Sequence, residues 1–159
     1  MSPAFLHSRA GSWFILASRV LLGGVFIYAA YTKLRVPWAI FAMSINSYQL
    51  LPENVSIFVA RTLPWVELAL GILLIGGWKL RYTAAATSAL LAGFFAIMLR
   101  SYFKGQGIDC GCFGVGEALS ARTLARDGAL VALSLGLTVS AFLSTRKPTA
   151  AAEQTAAQD

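Results

Sequence analysis

Residues 82–99 read YTAAATSALLAGFFAIML. None of them carries a charge, and Arg100 closes the run. A helix rises about 1.5 Å per residue, so this one reaches ~27 Å, close to the ~30 Å hydrocarbon core of a bilayer. The stretch predicts a transmembrane helix. Three other runs pass the same test. The first covers about 12–34 and carries Arg19; the second covers about 56–78, with Arg61 near its start and Glu67 near its middle. The last covers about 124–143 and is the least hydrophobic, with Arg126 and Asp127 in its first turn.

Composition agrees with a membrane protein. The 159 residues are 57% hydrophobic and 13% charged, against roughly 45–50% and 25% in a typical soluble domain. Mean hydropathy is +0.67. The net charge of +6 does not point to nucleic acid, because the basic residues punctuate the ends of apolar runs instead of forming one stripe. The first run reads as a retained span and not a cleaved signal peptide. Its apolar stretch is longer than a signal core, and Lys33 and Arg35 follow it.

Between the first two spans the pattern changes. Pro37 can open a helix, where its missing N–H is not needed. Trp38, Phe41, Ile45 and Tyr48 then recur at helical spacing, and Pro52 ends the segment. This predicts a short helix lying in the membrane interface. The fold expected is therefore all-α: a four-transmembrane-helix up-down bundle with a short interfacial helix between spans one and two. An N-terminal tail takes 1–11, the membrane domain 12–145, and a disordered tail, poor in large apolar residues, 146–159. In this topology both termini share one side, and the interfacial helix and the third connection share the other. Gly23, Gly24, Gly71, Gly76, Gly93 and Gly136 are candidates for close helix approach.

Charges within spans need partners, since an unpaired one at mid-bilayer costs about 2.5–3.5 kcal/mol even on insertion scales. Aligning the centres of spans one and two puts Arg19 about 6 Å from the level of Glu67, within an arginine's reach. An Arg19–Glu67 pair is expected, either as a structural ion pair or as part of a proton or quinone site inside the bundle. Lys33, Arg61, Arg100, Lys104, Asp109, Arg122, Arg126 and Asp127 gather toward the other end. Singly each reads as a snorkelling flank residue. Together they make a basic rim.

That rim surrounds the only two thiols, in GIDCGCFGVG at 107–116. Gly111 lets the chain turn enough for Cys110 and Cys112 to bridge. So small a loop restrains little in the unfolded chain, so the bridge would be a poor staple. Reversible redox chemistry is favoured, with a basic rim promoting thiolate and Asp109 placed to take or give a proton or to oppose the rim. Metal binding and no chemistry stay open. Zinc wants four ligands, and the single histidine, His7, falls on the opposite side. Haem is disfavoured because no histidine lies in a span.

Several strings together resemble a known group: Arg19 with Leu-Leu-Gly-Gly-Val-Phe through 26, Tyr-Thr-Lys-Leu at 31–34, Tyr48 to Pro52, and Leu-Pro-Trp-Val-Glu at 63–67 with Gly71. Asp-Cys-Gly-Cys-Phe-Gly at 109–114 and Arg126-Asp127 complete the set. Over about 12–143 the chain resembles the DoxX-like membrane proteins, and more closely the MauE (methylamine utilisation) group. The resemblance implies a four-span protein of the bacterial inner membrane. It implies a role in maturing a disulfide-rich periplasmic protein, the small subunit of methylamine dehydrogenase or similar. It also implies likeness to four-helix oxidoreductases that pass electrons between quinone and thiols. Cys110 and Cys112 would then be the redox pair, assisted by Asp109. Arg19, Glu67, Lys33 and Arg126 would tune it or hold a quinone. The chain has no second cysteine pair, so a periplasmic thioredoxin-like or substrate protein would be its thiol partner.

Counting basic residues puts more on the cysteine side, which by the positive-inside rule would be cytoplasmic. Disulfide chemistry and the resemblance favour a periplasmic loop. The main expectation is a membrane thiol–disulfide redox component, an oxidoreductase. The alternative is a non-catalytic subunit or assembly factor of a membrane complex, whose cysteine loop is a docking or metal site. A small-solute transporter has little support from four spans and one buried ion pair.

Overall fold

Large apolar side chains face outward on each of the four long helices, and the interior mixes apolar with polar residues. The computed structural model describes residues 9–105 and 119–144, with side chains over 13–105 and 119–143. Five helices follow in order: α1 (Arg9–Leu34), α2 (Trp38–Ser47), α3 (Glu53–Gly76), α4 (Leu80–Phe103) and α5 (Ala121–Ser144). No strand occurs among the described residues. Helices α1, α3, α4 and α5 are each long and apolar enough to cross a membrane, with α5 the least apolar. Large side chains such as Trp13, Phe58, Ile72 and Val139 point outward, while Ser18, Lys33, Glu67, Thr87 and Ser134 are buried. The interior buries apolar residues such as Leu22, Leu74 and Met98 as well, and an apolar exterior with the polar groups kept inside suits a lipid solvent, where apolar surface costs nothing to expose.

The four spans pack as two antiparallel pairs. α1 lies along α3 and α4 along α5, and the pairs meet more lightly where α1 touches α5 and α3 touches α4. Each span contributes one residue to a core cluster: Leu22, Leu74, Ala84 and Leu137. Only two of the six candidate glycines make close approaches. Gly23 and Gly71 face each other across α1 and α3, whereas Gly24, Gly76, Gly93 and Gly136 have open space where a side chain would stand.

Local chemistry sets the ends. Gly77 ends α3 in the left-handed conformation (φ 71°), donating its N–H to Leu73 O and Leu74 O, the C-terminal use of glycine. Three residues later, at Leu80, α4 begins. α5 starts at Ala121, three residues before the sequence pattern places it. Thr123 N–H donates to Ser120 Oγ (3.3 Å) and Ser120 N–H to Thr123 Oγ1 (2.9 Å), a reciprocal cap. Arg126 and Asp127 thus fall in the second turn. α3 continues through Pro64. Trp65 beside it is exposed.

The expected short helix is present as α2, preceded by Pro37. Its Phe41 and Ala42 are buried against Ala60 and Leu63 of α3. The break at its end comes from Gln49, at φ 51°, before Pro52 is reached.

Candidate functional site

Glu67 does not pair with Arg19. Its partner is Lys33, whose Nζ donates to both carboxylate oxygens, at 2.9 and 3.0 Å. Both side chains are buried, at 3% and 6% exposure. The register explains the correction. Gly23 opposite Gly71 slides α1 along α3 by about one turn relative to alignment of the span centres. Arg19 then comes level with the region of Ile75, eight residues and about 12 Å beyond Glu67. Side-chain direction adds to this. Helical side chains lean toward their own N-terminus, so in this antiparallel pair Lys33 and Glu67 lean toward each other while Arg19 and Glu67 lean apart.

Arg19 instead completes the end of α3. Its Nε donates to Leu74 O (3.0 Å) and its Nη2 to Ile75 O (2.8 Å). Those carbonyls belong to the last turn, where no following N–H is in place for every acceptor, and a cation there also suits the helix dipole. Arg19 is a structural cap and takes no part in the site at Glu67.

A cavity of about 270 Å³ lies between the two helix pairs. Its walls are apolar: Val25, Phe26 and Ala29 from α1, Leu63 from α3, Leu91, Phe94, Phe95 and Met98 from α4, and Leu130 from α5. α2 and the turn after it contribute Phe41, Ser44, Ile45, Tyr48, Leu50 and Leu51. Three charged side chains reach this space, Lys33, Glu67 and Asp127. Asp127 is buried and accepts from its neighbour Arg126 Nε at 3.0 Å. Around the cavity two cations therefore accompany two carboxylates. Lys33 also lies 5.7 Å from the centre of the Phe41 ring, which favours a cation in otherwise oily surroundings.

The basic rim divides. Lys33 and Asp127 turn inward and are buried. Arg100, Lys104 and Arg122 are exposed, and Arg61 stacks over Trp38 at 4.2 Å, tying α3 to α2. Arg126 is half-buried, with 36% of its side chain exposed. Asp109, Cys110 and Cys112 lie outside the described residues. Their connection, 106–118, leaves α4 after Phe103 and enters α5 at Ala121. Both helix ends stand within about two turns of cavity residues Met98 and Asp127. The cavity itself is not legible from residue spacing, since its walls come from all five helices. Asp127, adjacent to the predicted Arg126, is the polar wall residue that sequence reasoning left without a role in the site.

A family model described as methylamine utilisation protein MauE matches residues 11–140. A relative from Paracoccus denitrificans, methylamine utilization protein MauE, is 33% identical over 124 residues. The match covers 76% of this chain and 66% of that relative, just under two thirds of its length. No solved structure matches the chain.

Proposed function

The chain belongs to the MauE family, and from that membership we propose that it is a multi-pass membrane component of methylamine utilisation that exchanges disulfides through Cys110 and Cys112. A thiolate of a periplasmic protein attacks the Cys110–Cys112 disulfide and forms a mixed disulfide. The second thiolate of that protein then displaces the pair. The partner gains a disulfide and Cys110 and Cys112 leave as thiols, so two electrons have moved. A membrane quinone returns the pair to its disulfide, taking up two electrons and two protons to become the quinol. The partner is a thioredoxin-like protein or the disulfide-rich substrate itself, such as the small subunit of methylamine dehydrogenase, and the loop faces the periplasm from the inner membrane.

One observation carries this reading. The connection holding both thiols joins the two helices at the end of the bundle where Lys33, Glu67 and Asp127 line an apolar cavity. An apolar cavity with a few convergent polar groups is the default shape of a small-molecule site. Lys33 Nζ can donate to a quinone carbonyl, and the carboxylates can accept from a quinol hydroxyl. Arg126 holds Asp127 in place. Asp109, next to Cys110, takes or gives a proton during exchange.

The test is the redox state of the pair in intact cells, read by acid quenching and alkylation with a mass-shifting reagent. The reading expects the pair oxidised at rest and reduced when quinone is depleted, and expects Cys112→Ser to abolish substrate oxidation while the bundle still folds. A pair that stays reduced in both states, with Cys112→Ser still active and co-purifying with a larger complex, would replace this reading with that of a non-catalytic assembly factor.

A further inference from the structure

We infer that the cavity is a side-entry site for a neutral, ring-headed lipid whose tail stays in the bilayer. The inference rests on the proposed function only for taking the head to be a quinone. The site's shape and opening stand apart from it.

Size comes first. A cavity of about 150 Å³ takes a benzene ring, so about 270 Å³ takes one substituted six-membered ring. A long alkyl or prenyl tail does not fit beside it and must leave. The walls suit a ring, with Phe26, Phe41, Phe94 and Phe95 offering faces and edges.

Charge comes next. Lys33 is matched by Glu67 and Arg126 by Asp127. The balanced set gives no advantage to an anionic or cationic head. It offers donors and acceptors together, so a neutral head with a carbonyl or hydroxyl is the best fit.

The way in is the third observation. Leu50, Leu51 and Ile97 line the cavity and are also 38%, 40% and 36% exposed. They stand in the cavity wall and on the outer surface at once. Between them α2 and α4 make no close backbone approach among the described residues, and Leu90 and Phe94 of α4 pack against the cluster that Phe41 and Ala42 form with Ala60 and Leu63 of α3. Apolar residues frame the opening, which therefore faces lipid. A ligand dissolved in the bilayer enters between the turn after α2 and the face of α4, ring first, with its tail held outside by Leu50, Leu51 and Ile97.

The experiment uses the full chain carrying Cys110→Ser and Cys112→Ser, in lipid nanodiscs. Two alkyl-benzoquinone probes are used, one with a photoreactive diazirine on the ring and one with it midway along the tail. Labelled residues are mapped by mass spectrometry. The expected result is ring labelling at Phe26, Phe94 or Met98 and tail labelling at Leu50, Leu51 or Ile97. Both are lost with excess unlabelled quinone, and ring labelling is lost in Val59→Trp, which puts a large side chain at a position of α3 that lines the cavity. Ring labelling spread over lipid-facing residues such as Phe58 and Ile72, and unchanged by excess quinone, would overturn the inference. Because this protein lacks both thiols, labelling here reads the site alone. Cysteine redox state in cells reads the exchange reaction alone, so either can fail without the other.

Discussion

Gly23 of α1 and Gly71 of α3 stand face to face, so close that a Cβ on either would lie 2.8 Å from the other's carbonyl oxygen. The contact fixes how far α1 slides along α3. From that register follow the two polar assignments of the pair: Lys33 meets Glu67, and Arg19 reaches the carbonyls at the end of α3. Gly71→Ala is expected to force the helices apart, since its methyl would also meet Ile27 at 2.8 Å. Overpacking of this kind costs typically about 1–3 kcal/mol. Gly24→Ala, facing open space, is expected to be neutral or slightly stabilising. Thermal unfolding of the two variants in detergent checks the contrast; equal melting temperatures would contradict the register.

The Lys33–Glu67 pair predicts strong non-additivity. Removing one member of a buried pair leaves the other uncompensated, at a cost of about 3–5 kcal/mol, while replacing both with apolar residues is often nearly neutral. Lys33→Met and Glu67→Leu are each expected to lower the melting temperature, and the double variant to recover most of the loss. A double variant that shows the sum of the single losses would mean that the two residues act independently.

Arg19 and Gly77 make a second coupled pair. Arg19→Leu removes the guanidinium donor to Ile75 O and one of the two donors to Leu74 O, which still accepts from Gly77 N–H, and a hydrogen bond to a charged group contributes about 1.5–3 kcal/mol. Gly77→Ala is strained at φ 71° and its methyl also collides with the Arg19 guanidinium. In an Arg19→Leu background the collision is gone, so Gly77→Ala is expected to cost less there than in the native chain. A thermodynamic cycle over the four proteins measures the difference.

The four spans were legible because lipid demands long apolar runs, and residues 82–99 meet that demand without interruption. Helix α2 was legible from the spacing of Trp38, Phe41 and Ile45. The partner of Glu67 was not. Span limits give helix centres only to within a turn, and one turn decides between Arg19 and Lys33. Which glycines mattered was equally hidden, because Gly23 and Gly24 are adjacent in sequence and only one faces α3. The cavity was out of reach for a related reason: its walls depend on how the α1–α3 and α4–α5 pairs meet. The thiols were the plainest chemical signal in the sequence, and they lie outside the described residues.

The up-down arrangement makes a prediction about sidedness. α3 and α4 are joined at Gly77 to Lys79, while α4 ends at Phe103, and α4 is long enough to cross the membrane. Lys79 and Lys104, both exposed, should therefore lie on opposite faces. In a Cys110→Ser, Cys112→Ser background, Lys79→Cys and Lys104→Cys are expected to react with a membrane-impermeant maleimide from opposite sides of sealed vesicles. The native cysteines should report the same side as Lys104→Cys, since only a short connection separates them. In right-side-out vesicles, labelling of Lys104→Cys from outside supports the periplasmic loop that the exchange reaction needs. Labelling of Lys104→Cys from inside keeps the four-span fold, puts the thiols in the cytoplasm and removes a periplasmic partner. Labelling of both positions from one side would break the four-span fold itself.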